Sequence, residues 1–275
     1  MAEKFRVALL QTQTGNDLAA NLDAVKTLSR EAARSGAQLV MTPEYTLMMD
    51  GSGRVMRSRA LEPDGGSALA ELQALARELS VWFLVGSLTL KTDSDRIANR
   101  SYLLDAAGGI VAAYDKIHMF DATLPDGKVI RESSAYRPGE CAVVADTPWG
   151  RFGLSVCYDL RFPQLYRALA RAGARYLTVP SSFQRATGQG HWHTLLKARA
   201  IENACFVFAP AMCGEHPGKR TTYGHSLVVD PWGEVLADGG EAPGIVYADI
   251  DPAAVERVRG MLPSLEHDRE FHAPA

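Results

Sequence analysis

Cysteine is scarce in this sequence. The four present, Cys141, Cys157, Cys205 and Cys213, form neither a CxxC pair nor a zinc-type spacing. A disulfide framework and a cysteine-ligated zinc site are therefore not encoded. In a reducing compartment all four are expected to be free thiols. Surplus positive charge is also missing, with 29 Lys and Arg against 32 Asp and Glu and a net charge of −3. That balance offers no grip for nucleic acid or for an anionic membrane surface. No apolar run approaches the roughly 18 residues that cross a bilayer. The stretch VALL at 7–10 is too short for the core of a signal peptide, so a cytoplasmic location is expected. There is no internal repeat, low-complexity tract or linker, and the reading is one domain over 1–275. Walker and Rossmann glycine patterns are absent, and GLSVC at 153–157 is not the GxSxG of a serine-hydrolase elbow. The seven histidines are scattered, and HWH at 191–193 sets its two on different helix faces, so no metal site is expected.

What is present is a soluble, core-forming composition, 47% hydrophobic and 22% charged. Short β-rich runs alternate with helical patterns. FRVALLQTQ (5–13), AQLVMTPE (37–44), VWFLVGSLTL (81–90), RFGLSVC (151–157) and ARYLTVP (174–180) read as strands. CFVFAPAM, GHSLVVD, EVLAD and GIVYADI follow as strands, with PWG (231–233) as a hairpin turn. NRSYLLDAAGGIVAAYDKIH (99–118) reads as two strands joined at Ala-Gly-Gly. Asp17 is placed to cap a helix carrying Leu18, Leu22, Val25 and Leu28. Further helices are expected over 67–80, over 162–173 with Gly173 at the C-terminal cap, over 191–204 and in the tail. The polar segment 119–140 is too long for a plain connection. This alternation points to an α/β domain with sheets buried under helices.

Three polar residues stand at the ends of apolar strands: Glu44, Lys116 and Cys157. In layered α/β folds such positions converge on the edge where ligands bind. Singly, each has a plain reading, as a turn cap, a solvated charge and a packing residue. Together they form a complete set: a thiol nucleophile, a lysine to stabilise its thiolate, and a carboxylate to take and return the proton. The lysine and the Tyr158 N–H could jointly hold an oxyanion. A cysteine–histidine pairing with His118, His191 or His193 lacks any protease signature around the cysteine.

TPEY around Glu44, YDKIHMFD around Lys116 and SVCYDLRFPQLYRALARAGA around Cys157 resemble, in order, the three signature blocks of the nitrilase superfamily. SSFQRATGQGHWHTLLKARAIENACFVFAPAMCG and YGHSLVVDPWGEVLAD extend the resemblance to its Nit amidase branch, which includes deaminated glutathione amidase and omega-amidase. His193 stands where some members of that branch have an acidic residue.

The resemblance implies a four-layer α-β-β-α sandwich, a homodimer or higher homo-oligomer, and no cofactor. It implies hydrolysis of a small linear carboxamide to an acid and ammonia through a thioester, with deaminated glutathione leading as substrate. Glu44, Lys116 and Cys157 are its catalytic set, with Glu132 and Tyr158 in support. Arg137, Lys128, Arg185 and Arg161 are candidates for a substrate carboxylate. Asp159 and Arg161 are expected to pair and brace the turn after the nucleophile. An N-carbamoyl amide hydrolase and a catalytically silent binding protein are the alternatives.

Overall fold

From the N-terminus the chain forms β1 (Phe5–Gln11), α1 (Leu18–Arg34), β2 (Leu39–Met41), α2 (Gly53–Ser58) and α3 (Gly66–Leu79). The meander β3 (Trp82–Leu90), β4 (Ala98–Leu104) and β5 (Ile110–Asp115) follows, then a small pair, β6 (Asp121–Thr123) and β7 (Val129–Arg131). Next come β8 (Val143–Thr147), β9 (Gly150–Leu154), α4 (Pro163–Arg171), β10 (Ala174–Thr178), α5 (Arg185–Asn203) and β11 (Phe206–Ala209). The hairpin β12 (Cys213–His216) and β13 (Arg220–Tyr223) leads to β14 (Leu227–Val229), β15 (Val235–Asp238), β16 (Gly244–Ile250) and α6 (Ala253–Met261). This is a computed structural model, and it describes residues 3–124, 127 and 129–272.

Two six-stranded sheets carry the architecture, ordered β16-β1-β2-β3-β4-β5 and β15-β14-β11-β10-β9-β8. Each has three parallel strands at its centre, β1-β2-β3 in one and β9-β10-β11 in the other, extended by antiparallel strands. Helices make the parallel crossovers, which explains why these central strands read as continuous apolar runs.

The sheets pack face to face. Phe5 stacks on Trp149 at 4.3 Å between ring centroids, and Tyr176 stacks on both Phe206 and Phe208. Large flat rings fill the space between sheets with few rotatable bonds, and truncating Phe208 to alanine is expected to cost about 3–5 kcal/mol. On the outer face of the first sheet, Val25 and Ala32 of α1 and Leu69, Leu72 and Leu75 of α3 cover Ala8, Leu10, Val40 and Phe83. On the second, Leu165 and Leu169 of α4 and Trp192 and Leu196 of α5 join the same buried cluster as the inner strands. The fold is a four-layer α-β-β-α sandwich, as the resemblance implies.

Local chemistry sets most boundaries. The Asp17 carboxylate accepts the Ala20 N–H at 3.1 Å and starts α1. Gly173, at φ +91°, turns the chain out of α4. The β4–β5 turn closes through Asp105 and Gly109. Several expectations need correction. The strand expected over 37–44 pairs only over Leu39–Met41, and that over 151–157 stops at Leu154. Beyond both points only single backbone bonds continue the pairing, from the Thr42 N–H to Leu84 O and from the Cys157 N–H to Pro180 O. α5 begins at Arg185, six residues earlier than expected. The segment 119–140 holds the β6–β7 pair and a 3-10 turn, Glu132–Ser134, and the β12–β13 hairpin went unread.

Candidate active site

The residues that follow β2, β5, β9 and β10 meet at one end of the sandwich. β5 runs the same way as β3, two antiparallel steps away, so all four contributions come from carboxyl ends of strands.

Glu44 is fully buried, and each carboxylate oxygen has fixed partners. Oε1 accepts from Asn99 Nδ2 and Lys116 Nζ, both at 2.9 Å, and Oε2 accepts the Ser182 N–H at 2.9 Å. Gly86 lets the chain carry it there. A Cβ on Gly86 would lie 2.1 Å from the Thr42 carbonyl oxygen and 2.3 Å from that of Pro43. Lys116 donates also to Glu132, at 2.8 and 2.9 Å to its two oxygens. Glu132 in turn accepts the Tyr45 hydroxyl at 2.9 Å and the Phe120 N–H.

Cys157 opens the 3-10 turn Cys157–Arg161 with φ +50°, left-handed backbone that non-glycine residues seldom adopt. Its N–H donates to Pro180 O at 3.0 Å, and Cys157 lines the same cleft as Lys116, Glu132 and Ser182. Asp159, fully buried, holds this turn. Oδ2 accepts the Tyr114 hydroxyl at 2.7 Å and the Val156 N–H at 2.9 Å. Oδ1 faces His118, taking its backbone N–H at 3.0 Å and lying 2.7 Å from its ring Nδ1.

The electrostatics differ from the sequence expectation in one respect. Lys116 is shared by two carboxylates, Glu44 at 2.9 Å and Glu132 at 2.8 Å. Burial alone would lower the lysine's pKa, but Glu132 and then Glu44 reverse this and hold it above the usual value. For Cys157, burial and then Glu44 push the thiol up, more than Lys116 pulls it down. These surroundings favour the neutral thiol over the thiolate.

A cleft of about 270 Å³ opens onto these groups, lined among others by Tyr45, Lys116, Glu132, Cys157, Tyr158 and Phe183. Glu44, Lys116, Cys157 and Glu132 are brought together, with Tyr158 beside them. Arg161 also lines the cleft, but the expected ion pair with Asp159 is not made. Its guanidinium sits 5.3 Å over the Phe183 ring and 3.2 Å from His191 Nδ1. The five-residue 3-10 turn leaves Asp159 pointing inward to backbone and tyrosine donors while Arg161 points out. Arg137 pairs with Asp93 at 2.9 Å and Arg185 with Glu241 at 3.0 Å, and neither lines the cleft. Lys128 lies outside the described residues. Sequence reasoning missed Arg131 and Arg220, both on the cleft wall. Arg220 Nη2 donates to Ser182 O and Oγ at 2.9 Å, while its buried Nε has no partner among the described residues. Its only signal was a basic pair, KR at 219–220, in an unremarked loop.

The profile described as "Carbon-nitrogen hydrolase" matches residues 6–260. A Yersinia enterocolitica protein named deaminated glutathione amidase is 41% identical over 267 residues, which cover 96% of this chain and 92% of that one. The crystal structure of the Caenorhabditis elegans NitFhit protein superposes with TM-score 0.89 at 37% identity, covering 98% of this chain and 66% of that one. Saccharomyces cerevisiae Nit3, described as a member of branch 10 of the nitrilase superfamily, gives TM-score 0.86 at 31% identity over 95% of both chains. The chain belongs to the carbon-nitrogen hydrolase family of the nitrilase superfamily, and it is an amidase.

Proposed function

We propose that the substrate is a small carboxamide bearing a carboxylate at its far end, with deaminated glutathione the leading compound. The observation that supports this is the charge of the cleft. Arg161 and Arg220 face it, and among the described residues neither has a carboxylate partner. A guanidinium presents a planar fork of donors that matches a carboxylate. The relative from Yersinia enterocolitica, by its name, acts on deaminated glutathione.

In this reading Cys157 Sγ bonds to the amide carbon while the thiol proton passes to Glu44. The carbonyl π electrons move to oxygen, and Lys116 Nζ and the Tyr158 N–H hold the oxyanion. The carbon–nitrogen bond then breaks, Glu44 gives its proton to nitrogen, and ammonia leaves a thioester. Water attacks the thioester as Glu44 takes its proton, the carbon–sulfur bond breaks, and the proton returns to sulfur. Glu132 keeps Lys116 charged and aimed. An already buried, hydrogen-bonded constellation needs little rearrangement as charge develops.

Ammonia release from deaminated glutathione and from α-ketoglutaramate tests the substrate. Turnover of either, abolished in Cys157→Ala, is expected, and intact mass should reveal an acyl adduct on Cys157. Silence on both compounds would reopen the substrate class. The resemblance also carries a cytoplasmic homodimer. Exposed apolar side chains at Ile201, Trp232 and Met261 are compatible with a second copy, and light scattering of the purified chain tests that point.

A further inference from the structure

Away from the cleft, three side chains from distant parts of the chain converge on one point. His193 comes from α5, His225 from the connection between β13 and β14, and Asp238 from the end of β15. His193 Nε2 lies 3.0 Å from Asp238 Oδ2, and His225 Nδ1 lies 2.8 Å from Asp238 Oδ1. One potential ligand atom from each residue can be chosen so that all lie within 4.8 Å of one another. None of the three lines the catalytic cleft.

We propose that His193, His225 and Asp238 bind a divalent transition-metal ion, with Zn²⁺ the best match. Two imidazole nitrogens and one carboxylate oxygen form a donor set that suits zinc and disfavours calcium and magnesium, which take oxygen ligands. The ring geometry fits as well. Zinc–nitrogen bonds of about 2.0 Å place each imidazole centroid roughly 3.2 Å from the ion, so two rings at a tetrahedral angle lie about 5 Å apart. The His193 and His225 centroids are 5.1 Å apart with the rings inclined at 71°.

The surroundings hold the ligands in place. Asp238 Oδ1 also accepts the Gly240 N–H at 2.9 Å, and the His225 ring stacks on Tyr223 at 4.4 Å. His225 is held at φ +55°, with its carbonyl accepting Trp192 Nε1 at 2.8 Å. Left-handed backbone at a non-glycine residue persists where the neighbours over-determine it. The side chains remain 19–34% exposed, enough for an ion to enter and for water to complete the tetrahedron.

Because the ligands come from α5 and from both ends of the β14–β15 hairpin, an ion would fasten helix to sheet and stabilise the folded chain alone. The test uses the untagged, chelator-treated full chain in the Cys157→Ala background, so that the catalytic thiol cannot take up the ion. Calorimetric titration with Zn²⁺ is expected to show one ion per chain, and the thermal midpoint should rise by about 5 °C at a hundredfold excess over Kd. Co²⁺ should give the visible absorption of a tetrahedral site. His193→Ala and Asp238→Asn, both at partly exposed side chains, should each weaken binding at least tenfold. No saturable binding up to ~100 µM, or stoichiometric binding unchanged by both substitutions, would overturn the proposal.

Discussion

The Asp159 carboxylate accepts a 2.7 Å hydrogen bond from the Tyr114 hydroxyl. Tyr114 precedes Lys116 by two residues and Asp159 follows Cys157 by two, so this bond ties the Lys116 segment to the Cys157 turn. Asp159→Asn keeps the shape but offers an amide N–H where donors converge. It is expected to destabilise the chain by about 3 kcal/mol, the penalty for a buried charged acceptor lost. As a positioning residue, Asp159 should affect kcat at least tenfold and KM little. A fall in thermal midpoint with unchanged kcat would reduce it to a purely structural role.

Arg220 makes a separable claim. Removing one charge-assisted contact costs about 1.5–3 kcal/mol, or roughly 10- to 100-fold in affinity. Arg220→Ala should raise KM for an anionic amide by that factor and leave a small neutral amide unaffected. Arg137→Ala serves as the control. Its guanidinium is taken by Asp93 outside the cleft, so steady-state kinetics should not change.

Two glycines separate space from flexibility. A methyl at Gly86 would collide with the backbone just before Glu44, whereas one at Gly190 in α5 meets nothing within 4 Å. Gly86→Ala is expected to lower kcat 100-fold or more by displacing the carboxylate, since misplacement of about 1 Å can cost that much. Gly190→Ala should keep full activity and gain up to about 1 kcal/mol from helix propensity. Chemical denaturation and initial rates on both variants decide the matter.

Much of this could be read in advance. Strand-end polarity singled out Glu44, Lys116 and Cys157, because apolar periodicity marks where a strand stops. The family motifs then supplied Glu132. Asp159 was recognised as a brace, but its partner was misassigned. Sequence adjacency suggested Arg161, whereas the tight turn sends the two side chains opposite ways. Arg220 was invisible because it reaches the cleft through a hairpin whose strands, CGEH and RTTY, are too polar to read as β. The His193–His225–Asp238 cluster was hidden for a related reason. HWH suggested neighbours in sequence, while the partners lie 32 and 45 positions away.

Alkaline stability follows from the buried thiols. Burial pushes Cys205 and Cys213 up from 9 to about 11. With the folded pKa raised, the neutral thiol favours the folded state. Its contribution is complete below pH ~9 and is lost as pH rises towards 11, where the unfolded chain ionises first. His216 acts at the other limit. Burial lowers its pKa from 6.5, so its neutral ring contributes above that value and the contribution is lost as pH falls. Thermal midpoints should therefore drop on both sides of neutrality, and Cys205→Ala should flatten the alkaline limb. An unchanged alkaline limb in that variant would assign the loss to other groups.

One edge of β1 is paired with β2, close behind it in the chain, but the other is closed by β16, with Phe5 opposite Ile250 and Gln11 opposite Gly244. During synthesis at about 5–20 residues per second, that edge waits some 10–50 s for its partner to emerge. An apolar strand edge left open for so long is an invitation to wrong pairing. Truncation before β16 is therefore expected to yield insoluble protein rather than a weaker enzyme.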